Sequence, residues 1–119
     1  MDEVIVEFKL AKLLKEKGFN KFCNLTYIVW PDEKPQLVAT SCYNSTCDDN
    51  WYSAPTLVSV LDWLRIDKNL FVSFFPVGDI IEYKIYKNGK LIYENENEVS
   101  DVFEEVCKSA IEYCLEQLI

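Results

Sequence analysis

The chain has 119 residues, half of them hydrophobic and 14% aromatic, a composition that fills a core and argues against intrinsic disorder. Its 20 acidic against 12 basic side chains give a net charge of -8, and Arg65 is the sole arginine. Phosphate backbones and anionic membranes are therefore repelled, and no cluster of guanidinium forks exists to read nucleic acid.

The first helix is expected from about Val6 to Lys17, where Val6, Leu10, Leu13 and Leu14 share one face, and Gly18 ends it in a left-handed conformation. Val4-Ile5-Val6 is β-branched and also suits extended chain. Leu25 to Trp30 alternates and reads as a strand, Pro31 to Pro35 as a turn, and Gln36 to Cys42 as the returning strand. Tyr43 to Ser53 holds Asn44, Ser45, Asp48, Asp49 and Asn50 and is expected to be an exposed loop.

The second helix is expected over about Leu57 to Asp67. Leu57, Val60, Leu61 and Leu64 form one buried stripe, Trp63 lies at its edge, and Ser59, Asp62 and Ile66 lie opposite. Leu70 to Val77 is almost wholly apolar, which suggests a central strand. Ile80 to Lys87 alternates, Asn88-Gly89 signals a type I′ hairpin, and Lys90 to Glu94 pairs back. A two-residue turn sets Lys87 opposite Lys90, Ile85 opposite Ile92 and Tyr83 opposite Glu94. Ile81, Tyr83, Ile85 and Ile92 then face the helices, while Lys84, Tyr86, Leu91 and Tyr93 face away. The last helix starts near Asp101, with Glu104 placed for a capping box. Its apolar face is Phe103, Val106, Cys107, Ala110, Ile111, Cys114 and Leu118. The order α-β-β-α-β-β-β-α predicts a single α+β domain over residues 1–119, with a mainly antiparallel sheet and helices packed on one face.

Few side chains are placed for chemistry. Histidine is absent, which removes Ser-His-Asp and Cys-His systems, histidine metal sites and imidazole proton shuttles. Gly18, Gly78 and Gly89 all have backbone roles, so no Gly-rich phosphate loop is left. The cysteines are Cys23, Cys42, Cys47, Cys107 and Cys114, an odd number that reads as reduced thiols. Cys107 and Cys114 belong to the core face of a helix. Cys42 and Cys47 are the candidate pair for a metal- or redox-linked site. The carboxylates Glu94, Glu96, Glu98, Asp101, Glu104 and Glu105 read as a solvated loop and helix start, or alternatively as a decoy that mimics nucleic acid.

Tyr86, Leu91 and Tyr93 on an outer sheet face are more than solvation needs. With Trp51 and Tyr52 from the long loop they form the candidate interaction surface. Met1-Asp2-Glu3 lacks the positive charge of a signal peptide, and no apolar run approaches the ~20 residues of a membrane span, so a cytoplasmic location is expected.

Three segments carry a resemblance: Leu10-Ala11-Lys12-Leu13-Leu14-Lys15-Glu16-Lys17-Gly18-Phe19, Ala54-Pro55-Thr56-Leu57 with Asp62-Trp63-Leu64-Arg65, and Tyr83-Lys84-Ile85-Tyr86. In this order the chain resembles a family of small proteins from gut anaerobic bacteria and their phages, to which no activity is assigned. It departs from that pattern at Ile66-Asp67-Lys68-Asn69, where relatives continue with more charged residues, and at Ser59, where a Gln or Glu would complete a capping box. The resemblance implies a phage or mobile-element gene expressed inside a bacterium and carries over no functional residue.

The function expected is a non-enzymatic protein-interaction module that binds a host or viral protein, with no cofactor, metal or catalytic residue, no nucleic acid and no membrane. Homo-oligomerisation is compatible with it. A Cys42/Cys47 metal- or redox-linked small enzyme or switch, and an acidic decoy, are the alternatives.

Overall fold

A computed structural model describes residues 4–95 and 100–119. Met1, Asp2 and Glu3, and Glu96 and Glu98 of the acidic cluster, lie outside the described residues. The elements are α1 (Phe8–Glu16), β1 (Thr26–Ile28), β2 (Gln36–Val38), β3 (Trp51–Ser53), α2 (Leu57–Lys68), β4 (Leu70–Val77), β5 (Ile80–Lys87), β6 (Lys90–Glu94) and α3 (Phe103–Tyr113), followed by a π-helical turn over Cys114–Leu118. This is an α+β fold with antiparallel sheets. Every expected element appears in the expected order, and β3 is an addition. The residues gather into two compact units, Ile5–Thr56 and Leu57–Ile119 with Val4. Among the described residues, no helix is long and apolar enough to cross a membrane.

In the first unit, α1 buries Leu10, Ala11 and Leu14. It ends as its sequence predicts. Gly18 takes φ +89°, Phe19 N–H donates to Leu14 C=O at 2.9 Å, and Gly18 N–H donates to Lys15 C=O at 3.3 Å. That is a Schellman motif, and its apolar contact residues Leu14 and Phe19 are both buried. A Cβ at Gly18 would meet nothing within 4 Å, so Gly18→Ala carries only the left-handed backbone penalty. The expected loss is about 1 kcal/mol in a urea melt. A neutral result would mean that residue 18 does not hold positive φ.

The sheet of this unit has the order β2-β1-β3, with Thr26 opposite both Val38 and Ser53. The segment expected to be an exposed loop thus supplies a strand, and Asn44 within it is buried. Its amide nitrogen donates to Phe19 C=O at 2.9 Å, and its side-chain oxygen accepts from Ser53 N–H at 2.9 Å. A polar residue typical of loops here satisfies two backbone groups that would otherwise be orphaned. Ile5 bridges to Thr56, so the β-branched start is extended before α1 begins.

In the second unit the sheet order is β4-β5-β6, so β4 is an edge strand and β5 is central. This corrects the reading of Leu70 to Val77 as central. Its apolar run is not a sign of two buried faces, because Phe71 is 51% and Val77 44% exposed. Tyr83 and Ile85 of β5 are buried on the face that α3 covers, as expected. On α2, Leu57, Val60, Trp63 and Leu64 are buried, so Trp63 joins the stripe rather than flanking it. No side chain of Asp101 or Glu104 caps α3. Instead the Ser100 hydroxyl accepts from Val102 N–H at 3.1 Å and donates to Glu105 Oε2 at 2.8 Å. The π-helical turn widens the C-terminal end and buries Cys114 and Leu115 together.

Candidate functional site

Asn88 and Gly89 take φ 52° and 82°, the positive pair that a type I′ turn requires. Lys87 pairs with Lys90 and Tyr86 with Leu91. A β-bulge then inserts Ile92, so that Ile85 pairs with Tyr93 and Lys84 with Glu94. The simple register would have set Glu94 beside buried Tyr83. The bulge moves its carboxylate to the outer face, where it meets Lys84 Nζ at 3.3 Å.

The same shift moves Tyr93 to the helix side, against expectation. Its ring stacks on Tyr113 of α3 at 3.7 Å between centroids and lies 6.0 Å from Tyr83. Tyr93 is therefore a packing residue and leaves the candidate surface. Ile92, expected inside, is 41% exposed.

What remains outside is a row across all three strands. Phe71 pairs with Tyr86, and Tyr86 with Leu91. Phe71 is 51% exposed, Leu91 48%, and Tyr86 half-buried. The next row, Ser73, Lys84 and Glu94, is polar, and Lys84 also covers the Phe75 ring at 5.0 Å. At the other end an open pocket of about 320 Å³ is lined by Arg65, Asn69, Asn88 and Gly89 with Phe71 and Tyr86. Phe71 has no outward signature in the sequence, because an almost wholly apolar strand reads as a central one and β4 lies at the edge. The two-residue Gly78-Asp79 connection would have paired it with Tyr86 from sequence alone.

Trp51 and Tyr52 belong to the first unit. Tyr52 is held edge-on by Phe8 at 5.2 Å and lies under Lys15 Nζ at 4.9 Å, so its own unit occupies its ring. Trp51 is half-buried and lines an open pocket of about 400 Å³ with Phe22, Tyr43, Cys42 and Cys47.

Cys47 reaches this pocket because Cys47 N–H bonds back to Tyr43 C=O at 3.1 Å, closing one helical turn. Its Sγ lies 3.4 Å from Trp51 C=O, 3.6 Å from Asn44 C=O and 3.8 Å from Lys15 Nζ. Cys42 Sγ lies 3.4 Å from Thr26 Oγ1 and 3.5 Å from Ser53 Oγ. Cys23 is the backbone partner of Cys42 across an antiparallel bridge, a juxtaposition that sequence spacing did not reveal. Burial pushes the Cys47 thiol up, and the Cys42 thiol adds to that, while the Lys15 ammonium pulls the other way. Cys23 is buried and pushed up to about 11, and Cys107 and Cys114 by burial to about 12. Among the described residues, no group of three or more cysteine or carboxylate side chains is placed to hold a metal ion.

The chain matches no family model, no curated protein and no solved structure.

Proposed function

We propose that the protein is a non-enzymatic interaction module that docks another protein on the row Phe71, Tyr86 and Leu91. One observation carries this reading. Three large apolar side chains stand in register across β4, β5 and β6, on a face where alternation should place polar residues. A tyrosine flanked by an aromatic and an aliphatic side chain has the composition of a binding hot spot. The polar row of Lys84 and Glu94 provides a rim.

The net charge of -8 favours a partner whose apolar patch is set in a basic surface. The resemblance to small proteins of gut anaerobes and their phages supports a host or viral protein as that partner.

The test is affinity capture from the bacterial host with the intact chain and with Tyr86→Ala plus Leu91→Ala, each first checked for folding by circular dichroism. A protein held by the intact chain should be released about tenfold or more by the double variant. Equal retention by both would remove this surface. Capture that collapses with salt yet ignores the double variant would favour the acidic decoy instead. Sedimentation of the purified chain reads the competing occupant, a second copy, which would appear as a dimer that the double variant dissociates.

A further inference from the structure

We propose that Cys47 and Cys42 form a reversible intramolecular disulfide by exchange with a small disulfide of the glutathione class, with Cys47 as the entry thiol and Cys42 as the resolving thiol. Three observations place these two thiols apart from the other three.

The first is local geometry. The turn that begins at Tyr43 folds back on itself, with Thr46 and Cys47 N–H both donating to Tyr43 C=O at 3.1 Å. Residue 47 is thereby returned toward residue 42, and both cysteines line the same pocket. Buried Asn44, at the centre of the turn, fixes it to Phe19 and Ser53.

The second is access. Cys42 and Cys47 are half-buried and both line the open pocket, whereas Cys23, Cys107 and Cys114 are buried. The aromatic walls Phe22, Tyr43 and Trp51 leave room for a small molecule above the sulfurs.

The third is the charge beside the Cys47 sulfur. Lys15 projects from α1, donates to Trp51 C=O at 2.7 Å and Asp48 C=O at 3.0 Å, and keeps its ammonium 3.8 Å from Cys47 Sγ. Burial pushes the Cys47 thiol up, and the Lys15 ammonium offsets part of that push at the sulfur that must attack, whereas Cys42 has hydroxyl neighbours instead. Lys15 is half-buried and held at three points, so this charge is fixed rather than swept through solvent.

In the exchange, the Cys47 thiolate attacks one sulfur of the small disulfide. Its S–S bond breaks, and one small thiolate leaves and takes up a proton. The Cys42 thiolate then attacks Cys47 Sγ in the mixed disulfide and expels the second small thiolate, which is protonated in turn. Two protein thiols lose two electrons, and one small disulfide becomes two thiols. A small thiol in excess reverses both steps. The product closes the turn between residues 42 and 47 covalently beside β3.

The experiment treats the folded, reduced full chain with oxidised glutathione, quenches with acid, alkylates free thiols and maps peptides by mass spectrometry. The expected product is a Cys42–Cys47 disulfide with Cys107 and Cys114 still alkylated. Cys42→Ser should instead accumulate glutathione on Cys47, at least about tenfold above the intact chain, because the neighbouring thiol that resolves it at high effective concentration is gone. Reduced glutathione should restore the starting mass. A Cys23–Cys42 bridge would overturn the proposal, as would a persistent mixed disulfide on the intact chain or the same product pattern in urea. The docking row plays no part in this readout, so a negative result here leaves that reading untouched.

Discussion

Asn44→Ala is expected to destabilise the unit Ile5–Thr56 by about 3 kcal/mol, because it strands two buried backbone groups, each costing about 1–3 kcal/mol when unsatisfied. Phe19 C=O loses its donor and Ser53 N–H loses its acceptor. Both groups sit where the unit is held together, one just past the end of α1 and the other in β3. The alanine side chain offers neither function and leaves a small void. Asn44→Asp should be no better, since it would aim a carboxylate oxygen at Phe19 C=O in a buried site. Neighbouring Ser45 is exposed, so Ser45→Ala should stay within about 0.5 kcal/mol. Hydrogen exchange at the Ser53 amide reads the effect directly, with protection falling in Asn44→Ala and holding in Ser45→Ala. Equal protection in the two variants would show that Asn44 is a loop residue after all.

Tyr93→Ala should cost about 2 kcal/mol and Tyr86→Ala less than about 1 kcal/mol, a contrast that reports the bulge at Ile92. Tyr93 contributes its stack on Tyr113 and its approach to Tyr83, and both are lost on truncation. Its half-buried position keeps the loss below that of a fully enclosed ring. Tyr86 faces the other way, between Phe71 and Leu91, and its removal leaves the helix side unchanged. Tyr93→Phe, which keeps the ring, should be near neutral. Urea midpoints of the three variants settle the order. If Tyr86→Ala proves the costlier change, the simple register without a bulge is correct and Tyr93 returns to the outer face.

The bulge also explains why a hairpin with a clear turn signal was only partly legible. Asn88-Gly89 sets the first two pairs, and both occur as expected. Beyond them, period-two alternation predicts a continuous ladder, and a bulge has no marker of its own in the sequence. One clue was present. The continuous ladder puts the Glu94 carboxylate beside Tyr83 in the core, a desolvation that an unpaired carboxylate does not tolerate. Moving Ile92 out and Glu94 to Lys84 removes that conflict.

Strand β3 has no local signature for a different reason. Three residues, Trp51–Ser53, are too few to show alternation, and the Asn and Asp residues before them announce a turn. Its pairing with β1 depends on contacts from outside the segment, chiefly the Asn44 staple and the Lys15 ammonium on Trp51 C=O. Long-range partners of this kind have no local signature.

For the candidate site, the outward row was half visible. Tyr86 and Leu91 follow from the turn, while Phe71 was hidden in an apolar strand that hydrophobicity alone places at the centre of a sheet. The thiol pair was visible as spacing, but its pocket, its lysine and the exclusion of Cys23 from solvent were not.

Residue order alone determined the helices, the hairpin turn and the end of α1, because helical stripes, positive-φ turn residues and a C-terminal glycine act over a few neighbouring positions. Tertiary structure decided which strand lies at an edge, which face Tyr93 takes, and which thiols share a pocket. Those outcomes depend on the burial of charge and the pairing of backbone groups between segments far apart in the chain, and neither has a local pattern to read.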